Sequence, residues 1–240
     1  MIRLNKFLAQ RGVASRRHAD LMITDGRVSV NGQVVEDLGS KIDESRDQVA
    51  VDGKAVRGKS GSVYWMLNKP RGILVTLDDP FERRTVRDLI PDLPDGVYPV
   101  GRLDKDSEGL LILTNDGELA YRLTHPRFEV AKRYVVRVRG LVEDPSVARL
   151  RAGVFVDGRR TAPAKIEVFE KSTRGTVLQI EIHEGRKREV RKMLDAVGHP
   201  VLELKRVMFA GLSLSHLPAG HRRPLTGAEI LRLKKAAGMG

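Results

Sequence analysis

Cysteine is absent from the 240 residues. Disulfide scaffolds, cysteine-ligated zinc and thiol nucleophiles are therefore excluded, and the absence fits a reducing cytoplasm, the expected location. No apolar run approaches the roughly 18 residues that a membrane-spanning helix needs. The amphipathic start Met1–Gln10 also lacks the apolar core of a signal peptide, so no membrane partner is expected. Metal-ligand spacing is missing too. His18, His125, His183, His199, His216 and His221 are scattered, and neither a metal nor any other cofactor is expected. What the chain has in excess is positive charge. Lys and Arg number 43 against 31 Asp and Glu, a formal +12, which points to a polyanionic partner; with the membrane set aside, that is nucleic acid. Hydrophobic residues at 41% with 31% charged make a globular chain, long enough for one large domain or two smaller ones.

Two textures divide it. Leu4, Phe7 and Leu8 recur at helical spacing, and Gly12 is placed to end that helix. Ser15 is an N-cap for a second helix, with Ala19, Met22 and Ile23 as its apolar face. Val28–Val35 then alternates around Asn31-Gly32, and Val49–Val56 around Asp52-Gly53; the two hairpins are expected to pair in one small sheet. Residues 57–62, Arg-Gly-Lys-Ser-Gly-Ser, read as a flexible linker. Beyond it, strands are predicted at Val63–Leu67, Ile73–Val75, Leu110–Leu113, Tyr134–Val138, Ile166–Phe169, Val177–Ile182 and Val201–Phe209. Helices are predicted at Thr85–Ile90, Gly117–Leu123, Pro145–Ala152, Arg188–Val197 and Thr226–Ala237. Several strands follow one another without a long helix between them. The fold class is therefore α+β: a small helix–helix–hairpin domain over 1–60, then a larger domain over 63–240 with a mixed, mostly antiparallel sheet.

Gly53-Lys54-Ala55-Val56-Arg57-Gly58-Lys59-Ser60 fits the Walker A pattern letter for letter. A phosphate loop needs a strand entering the first glycine and a helix leaving the Lys-Ser end. Here the first glycine closes an Asp-Gly turn, and Ser60 is followed by Gly-Ser and the strand-like Val63–Leu67. The match is fortuitous, and no nucleotide triphosphate is expected to bind.

Through residue 18 the chain carries Arg3, Lys6, Arg11, Arg16 and Arg17 and no acid. Arg3 and Lys6 share a helical face, and Arg16-Arg17 open the second helix. The plain reading is a solvated face; two short helices without an acid can also lie along RNA phosphates. A second basic cluster, Glu184–Lys192, opens a helix that sets Arg188, Arg191, Lys192 and Asp195 on one face. Cations at a helix start oppose its dipole, so these are either paired with carboxylates or held for a ligand anion.

The most informative string is Gly101-Arg102-Leu103-Asp104-Lys105-Asp106-Ser107-Glu108-Gly109-Leu110, continuing Leu-Ile-Leu-Thr-Asn-Asp-Gly. A glycine gives the backbone room, a charged loop holds Asp104, and Gly109 releases the chain into a buried strand. An aspartate so held is a turn-former by default, and a nucleophile or acid/base where a reaction needs one. As a whole the string resembles the signature of the pseudouridine synthases, in the RsuA/RluB group that modifies bacterial ribosomal RNA. Asn68-Lys69-Pro70-Arg71-Gly72 resembles that family's Lys-Pro-x-Gly motif, and Lys132-Arg133-Tyr134 its basic-x-Tyr motif. Glu184–Met193 resembles its Gly-Arg…Val-Arg-Lys-Met motif. Residues 1–60 resemble the S-four-type RNA-binding domain and 63–240 the catalytic domain. Ser107 and Lys192 stand where Thr and Arg are commoner in the family.

The resemblance implies an enzyme that isomerises a uridine within ribosomal RNA to pseudouridine, without a cofactor, since uridine already holds every atom of the product. Asp104 is the implied catalytic aspartate, attacking the ribose or removing a sugar proton to give a glycal. Tyr134 is implied to stack on the flipped uracil and assist a proton transfer, and Arg191 to pair with Asp104. Arg102, Lys105, Arg188 and Lys192 would hold RNA phosphates. The string Gly185–Arg191 is more similar to the large-subunit-modifying members than to the small-subunit one. A monomer is expected, because basic surfaces repel one another and no coiled-coil seam is present. A reading from another class is an assembly factor that keeps the fold and only holds ribosomal RNA. Asp104, Tyr134 and Arg191 together argue against it, because a pure binder has no need of the aspartate.

Overall fold

In the computed structural model, which describes residues 1–56 and 61–239, the N-terminal periodicity folds as it reads. Leu4–Gln10 and Arg16–Thr24 are helices. Gly12 ends the first at φ +76, its amide on the Ala9 carbonyl at 3.2 Å, a left-handed exit that favours glycine. The Ser15 hydroxyl accepts from the His18 amide at 3.2 Å and starts the second. Leu4, Phe7, Leu8, Ala19, Met22 and Ile23 bury against Val28, Ile42 and Val49. The hairpins turn at Asn31-Gly32 and Asp52-Gly53, all four residues at positive φ, as a type I′ turn requires. They join through Val28–Val30 and Val49–Val51 in one four-stranded antiparallel sheet.

Arg3 departs from its expected place. Ile2–Arg3 pairs as a short strand with Lys41–Ile42, and Arg3 precedes the helix with extended backbone. Arg3 and Lys6 therefore do not share a helical face. The described half of the Walker A match lies in the second hairpin, with Gly53 in its turn and Lys54–Ala55 the strand after it. Its Lys59 and Ser60, with residues 57–60 of the expected linker, lie outside the described residues. The compact unit built on these elements comprises residues 1–63, 92–98 and 114–117.

The second unit is built on strands lying in the order Lys165–Ser172, Gly175–Ile182, Lys132–Arg139, Val201–Phe209, Glu108–Thr114, Tyr64–Lys69 and Arg222–Pro224. Neighbours pair antiparallel across most of this path. Val201–Phe209 and Glu108–Thr114 pair parallel. Val136, Val138, Leu178 and Ile180 form one buried core with Val147 and Leu150 of the helix Asp144–Ala152 and Met193 and Leu194 of the helix Glu189–Asp195. Met66, Leu110, Ile112 and Phe209 form a second with Leu119, Leu123 and Leu233. Thr226 and Glu229 close a capping box at the start of the helix Gly227–Ala236.

Two expected elements are corrected. Ile73–Val75 is not a strand: only Leu74 bridges Thr85, and the Thr76 hydroxyl turns the chain by donating to the Asp78 carbonyl at 2.7 Å. The helix expected at Arg188–Val197 runs only from Glu189 to Asp195, because Arg188 takes φ +56 and stands outside it. Among the described residues no helix is long and apolar enough to cross a membrane.

Candidate active site

The Asp104 loop is held from three sides. Leu103 is anchored in the first core of the larger unit. The Ser107 amide donates to the Asp104 carbonyl at 3.1 Å, and the Gly72 amide to the Lys105 carbonyl at 2.7 Å. Gly72 can reach because Lys69, fully buried, folds its own turn: its ammonium donates to the carbonyls of Pro70 at 3.0 Å and Ile73 at 2.9 Å. Burial draws Lys69 down to about 8, against the pull of Asp106, Glu108 and Asp104. The Lys-Pro-x-Gly motif is thus a brace for the loop.

Two arginines face this loop, and their partners differ from expectation. Arg191 does not form its ion pair with Asp104. Its buried guanidinium pairs with Asp106 at 3.3 Å and donates to the Asp106 carbonyl at 3.0 Å and the Ser107 hydroxyl at 3.3 Å. The left-handed backbone of Arg188 swings that side chain to the carboxylates instead, 3.2 Å from Asp106 and 3.7 Å from Asp104. Burial works to raise Asp106, but the Arg188 hydrogen bond and both arginine charges hold it below the usual carboxylate value. Asp104 is thereby left with one long contact and a partly open face.

Asp104 borders a cavity of about 310 Å³ whose wall includes Tyr134, Lys132, Glu189, Arg206 and Phe209. Tyr134 lies on the strand Lys132–Arg139, nearly buried, and burial pushes its hydroxyl above the usual phenol value. The Arg206 guanidinium lies beside that hydroxyl. Its Nε donates to the Leu110 carbonyl at 2.8 Å, its plane covers the Phe209 ring at 4.7 Å, and its Nη2 is buried without a partner. Lys132 donates to the carbonyls of Val130 at 2.9 Å and Glu184 at 2.8 Å, tying the Tyr134 strand to the Glu184 turn. Burial, aided by Arg206, draws Lys132 down to about 8.

Arg206 and Glu189 are missing from the expected site. Period-2 alternation puts Arg206 on the buried face of Leu204, and a charge at an inward position was the available signal. Glu189 is buried with its carboxylate on the Arg186 amide at 3.1 Å. Burial first, and then its hydrogen bond to Glu184, push it up to about 7. Burial works on Glu184 as well, yet the bonds from Glu189, the Ala162 amide and Arg186 hold it below its ordinary value. A carboxyl with a raised folded value favours folding fully below the unfolded value of 4.5, and that contribution is lost as pH rises through about 7. Glu189→Gln is therefore expected to gain about 1–3 kcal/mol relative to the parent between pH 4.5 and 8. Melting curves of both proteins at pH 5 and pH 8 check this; a constant difference would contradict it.

The expected RNA contacts divide. Arg102 and Lys105 are exposed on the Asp104 loop. Arg188 is engaged by Asp106, and Lys192 pairs with Asp157, so neither stands as a free phosphate ligand. Arg3, Lys6, Arg16 and Arg17 are exposed. Arg11 is half-buried, over the Phe7 ring at 4.7 Å and against Glu44 at 3.3 Å. Replacing Arg3, Lys6, Arg16 or Arg17 by alanine should each lower the salt slope of RNA binding by up to about 0.9. Arg11→Ala should lower the melting temperature more than the slope. Salt titrations and melts of the five variants separate the two classes, and a full slope change from Arg11→Ala would sink the distinction.

Residues 63–196 match the family described as RNA pseudouridylate synthase, and residues 2–49 match the S4 domain. The matched span includes Asp104, Tyr134 and Arg191, whereas Arg206 lies beyond it. The chain is 43% identical to a Bacillus subtilis protein named ribosomal large subunit pseudouridine synthase B, covering 100% of this chain and 98% of that one. An Aquifex aeolicus protein named an uncharacterized RNA pseudouridine synthase is 44% identical, over 99% of this chain and 96% of its own. A solved structure described as a crystal structure of pseudouridylate synthase superposes with TM-score 0.70 at 31% identity, over 97% of this chain and 100% of the other. Through a match that spans more than half of its length and relatives that align end to end with it, the chain belongs to the RNA pseudouridylate synthase family.

Proposed function

We infer that the uridine this enzyme isomerises belongs to large-subunit ribosomal RNA, and that Asp104 is the residue that works on its ribose. The observation that carries the reading is the placement of Asp104, with an open face, at the edge of a cavity walled by the Tyr134 ring. The target nucleotide leaves its stack to enter, at a cost of roughly a few kcal/mol that stacking and phosphate contacts offset. Tyr134 then supports the uracil from the strand side. Asp104 attacks C1′ or takes a sugar proton, the N1–C1′ bond breaks, and the base turns. The C5–C1′ bond forms as the Asp104–C1′ bond breaks or, on the other route, as Asp104 returns its proton to the sugar; C5 loses its proton and N1 gains one, so atoms balance without a co-reactant. Arg191 is a positioning residue: by holding the Asp106 carbonyl and the Ser107 hydroxyl it sets the loop that presents Asp104.

The large-subunit assignment is supported by the name of the Bacillus relative and by the Gly185–Arg191 string. We assign RNA docking to residues 1–60 and chemistry to 63–240, in a cytoplasmic monomer whose +12 charge favours RNA over self-association. The test is a base-resolved pseudouridine map of large- and small-subunit ribosomal RNA treated with the parent enzyme and with Asp104→Asn. A new pseudouridine in the large-subunit RNA, made by the parent alone, is expected. Tight binding by both proteins with no new pseudouridine would make this an RNA-binding assembly factor.

A further inference from the structure

A short hairpin on the catalytic unit presents a feature that the reaction does not use. Phe155–Val156 and Arg159–Arg160 pair antiparallel around the turn Asp157-Gly158, both turn residues at positive φ. Alternation sends Val156 into the core that holds Met193 and Leu194, and sends Phe155 outward, where 72% of its surface is exposed. The chain has only six phenylalanines, and this one is held open on a two-residue strand. Its cross-strand neighbour is Arg160, whose guanidinium is oriented by the Gly153 carbonyl at 3.2 Å. Beside them lies a groove of about 570 Å³ whose side chains include Phe155, Arg160 and Arg149, around the backbone of 152–154, and whose lining holds no carboxylate.

The groove is tied to the catalytic cavity. Arg186 lines that cavity, and its guanidinium donates to the Arg160 carbonyl at 2.9 Å and the Arg159 carbonyl at 3.5 Å. At the hairpin tip Asp157 pairs with Lys192, the neighbour of Arg191. Arg186 thus joins the wall of the cavity to the backbone of the hairpin. An exposed phenyl face flanked by two guanidiniums suits an unpaired nucleotide, with the base stacked on the ring and the phosphate on the cations. An acidic peptide would use the arginines but has no call on the ring.

We propose that this groove holds an unpaired nucleotide of the substrate RNA that flanks the isomerised uridine, its base on Phe155 and its phosphate between Arg149 and Arg160. The proposal rests on the reading that RNA threads to the Asp104 cavity. The test uses the full chain and a large-subunit ribosomal RNA transcript, with Kd from fluorescence anisotropy and kcat and KM from pseudouridine formation. Phe155→Ala is expected to raise Kd and KM about tenfold, the lower half of what one base stack contributes, with kcat unchanged. Phe155→Trp should restore both constants and Phe155→Leu should not. The double change Arg149→Gln with Arg160→Gln should lower the salt slope of binding by up to about 1.8. Phe155→Ala binding and turning over within twofold of the parent would overturn the proposal, as would rescue by Leu equal to that by Trp. If the parent makes no pseudouridine and Phe155→Ala still weakens binding tenfold, the reaction assignment fails and the groove stands. If the parent makes pseudouridine and Phe155→Ala changes nothing, the groove fails and the reaction stands.

Discussion

Asp104→Asn should lower pseudouridine formation by about 10⁴-fold or more, while RNA affinity stays within about twofold. Asn matches Asp in shape but can neither attack the sugar as an anion nor accept its proton. The substitution also leaves the fold alone. The loop is held by the Ser107 and Gly72 amides, by Leu103 and by Arg191, none of which binds the Asp104 carboxylate. The contact that Asp104 does make, with Arg188 at 3.7 Å and on the open face, is worth little to stability. A melting temperature equal to the parent's, with turnover gone, is therefore the expected pair of results. Arg191→Ala should lose turnover with a lower melting temperature, because it removes the partner of a carboxylate and the support of the Asp106–Ser107 backbone together. Residual turnover above about one per cent in Asp104→Asn would move the chemistry to another carboxylate, Asp106 first.

Gly109→Ala should destabilise the catalytic unit by about 4 kcal/mol, a fall of roughly 10 °C in melting temperature for a chain of this size. Gly109 sits at φ +110, a conformation an L side chain rarely adopts, and a Cβ there would stand 2.3 Å from the Arg206 carbonyl and 2.7 Å from its amide. The cause is the parallel pairing of Glu108–Thr114 with Val201–Phe209, which sets Gly109 opposite Arg206. Relief would require parting the two strands, and with them the Arg206 guanidinium that spans from the Leu110 carbonyl toward Tyr134. Thermal melts and turnover should fall together. A stable Gly109→Ala protein with full activity would show that the strands can part without cost.

How much of this was readable follows the range of the interaction. The Ser15 cap, the Gly12 exit and the Asn31-Gly32 and Asp52-Gly53 turns are each specified within about four residues, and each forms where the residue types place it. Val201–Phe209 is a strand over the expected residues, a nine-residue run with six apolar side chains and no glycine or proline to break it. Ile73–Val75 is apolar, but the turn that starts at Thr76 prevailed and left only the Leu74 bridge to Thr85. Ile2–Arg3 became a strand only because Lys41–Ile42, some forty residues on, lies beside it.

In the site the division is the same. Asp104, Tyr134 and Arg191 are singled out by strings that resemble the family's motifs in the family's order, whereas on residue type alone Asp104 reads as a turn-former. Which cation meets which carboxylate is another matter. Arg191 reaches Asp106 and Ser107 across 85 and 84 residues of chain, and Arg206 reaches Leu110 across 96. Those distances close only through sheet register and through the left-handed turn of Arg188. Local composition therefore decided that the chain would have these helices and hairpins. The packing of strands far apart in sequence decided that Asp106 takes the arginine, that Arg206 joins Tyr134, and that Phe155 is left facing outward, because pairings over such spans are set by the fold as a whole.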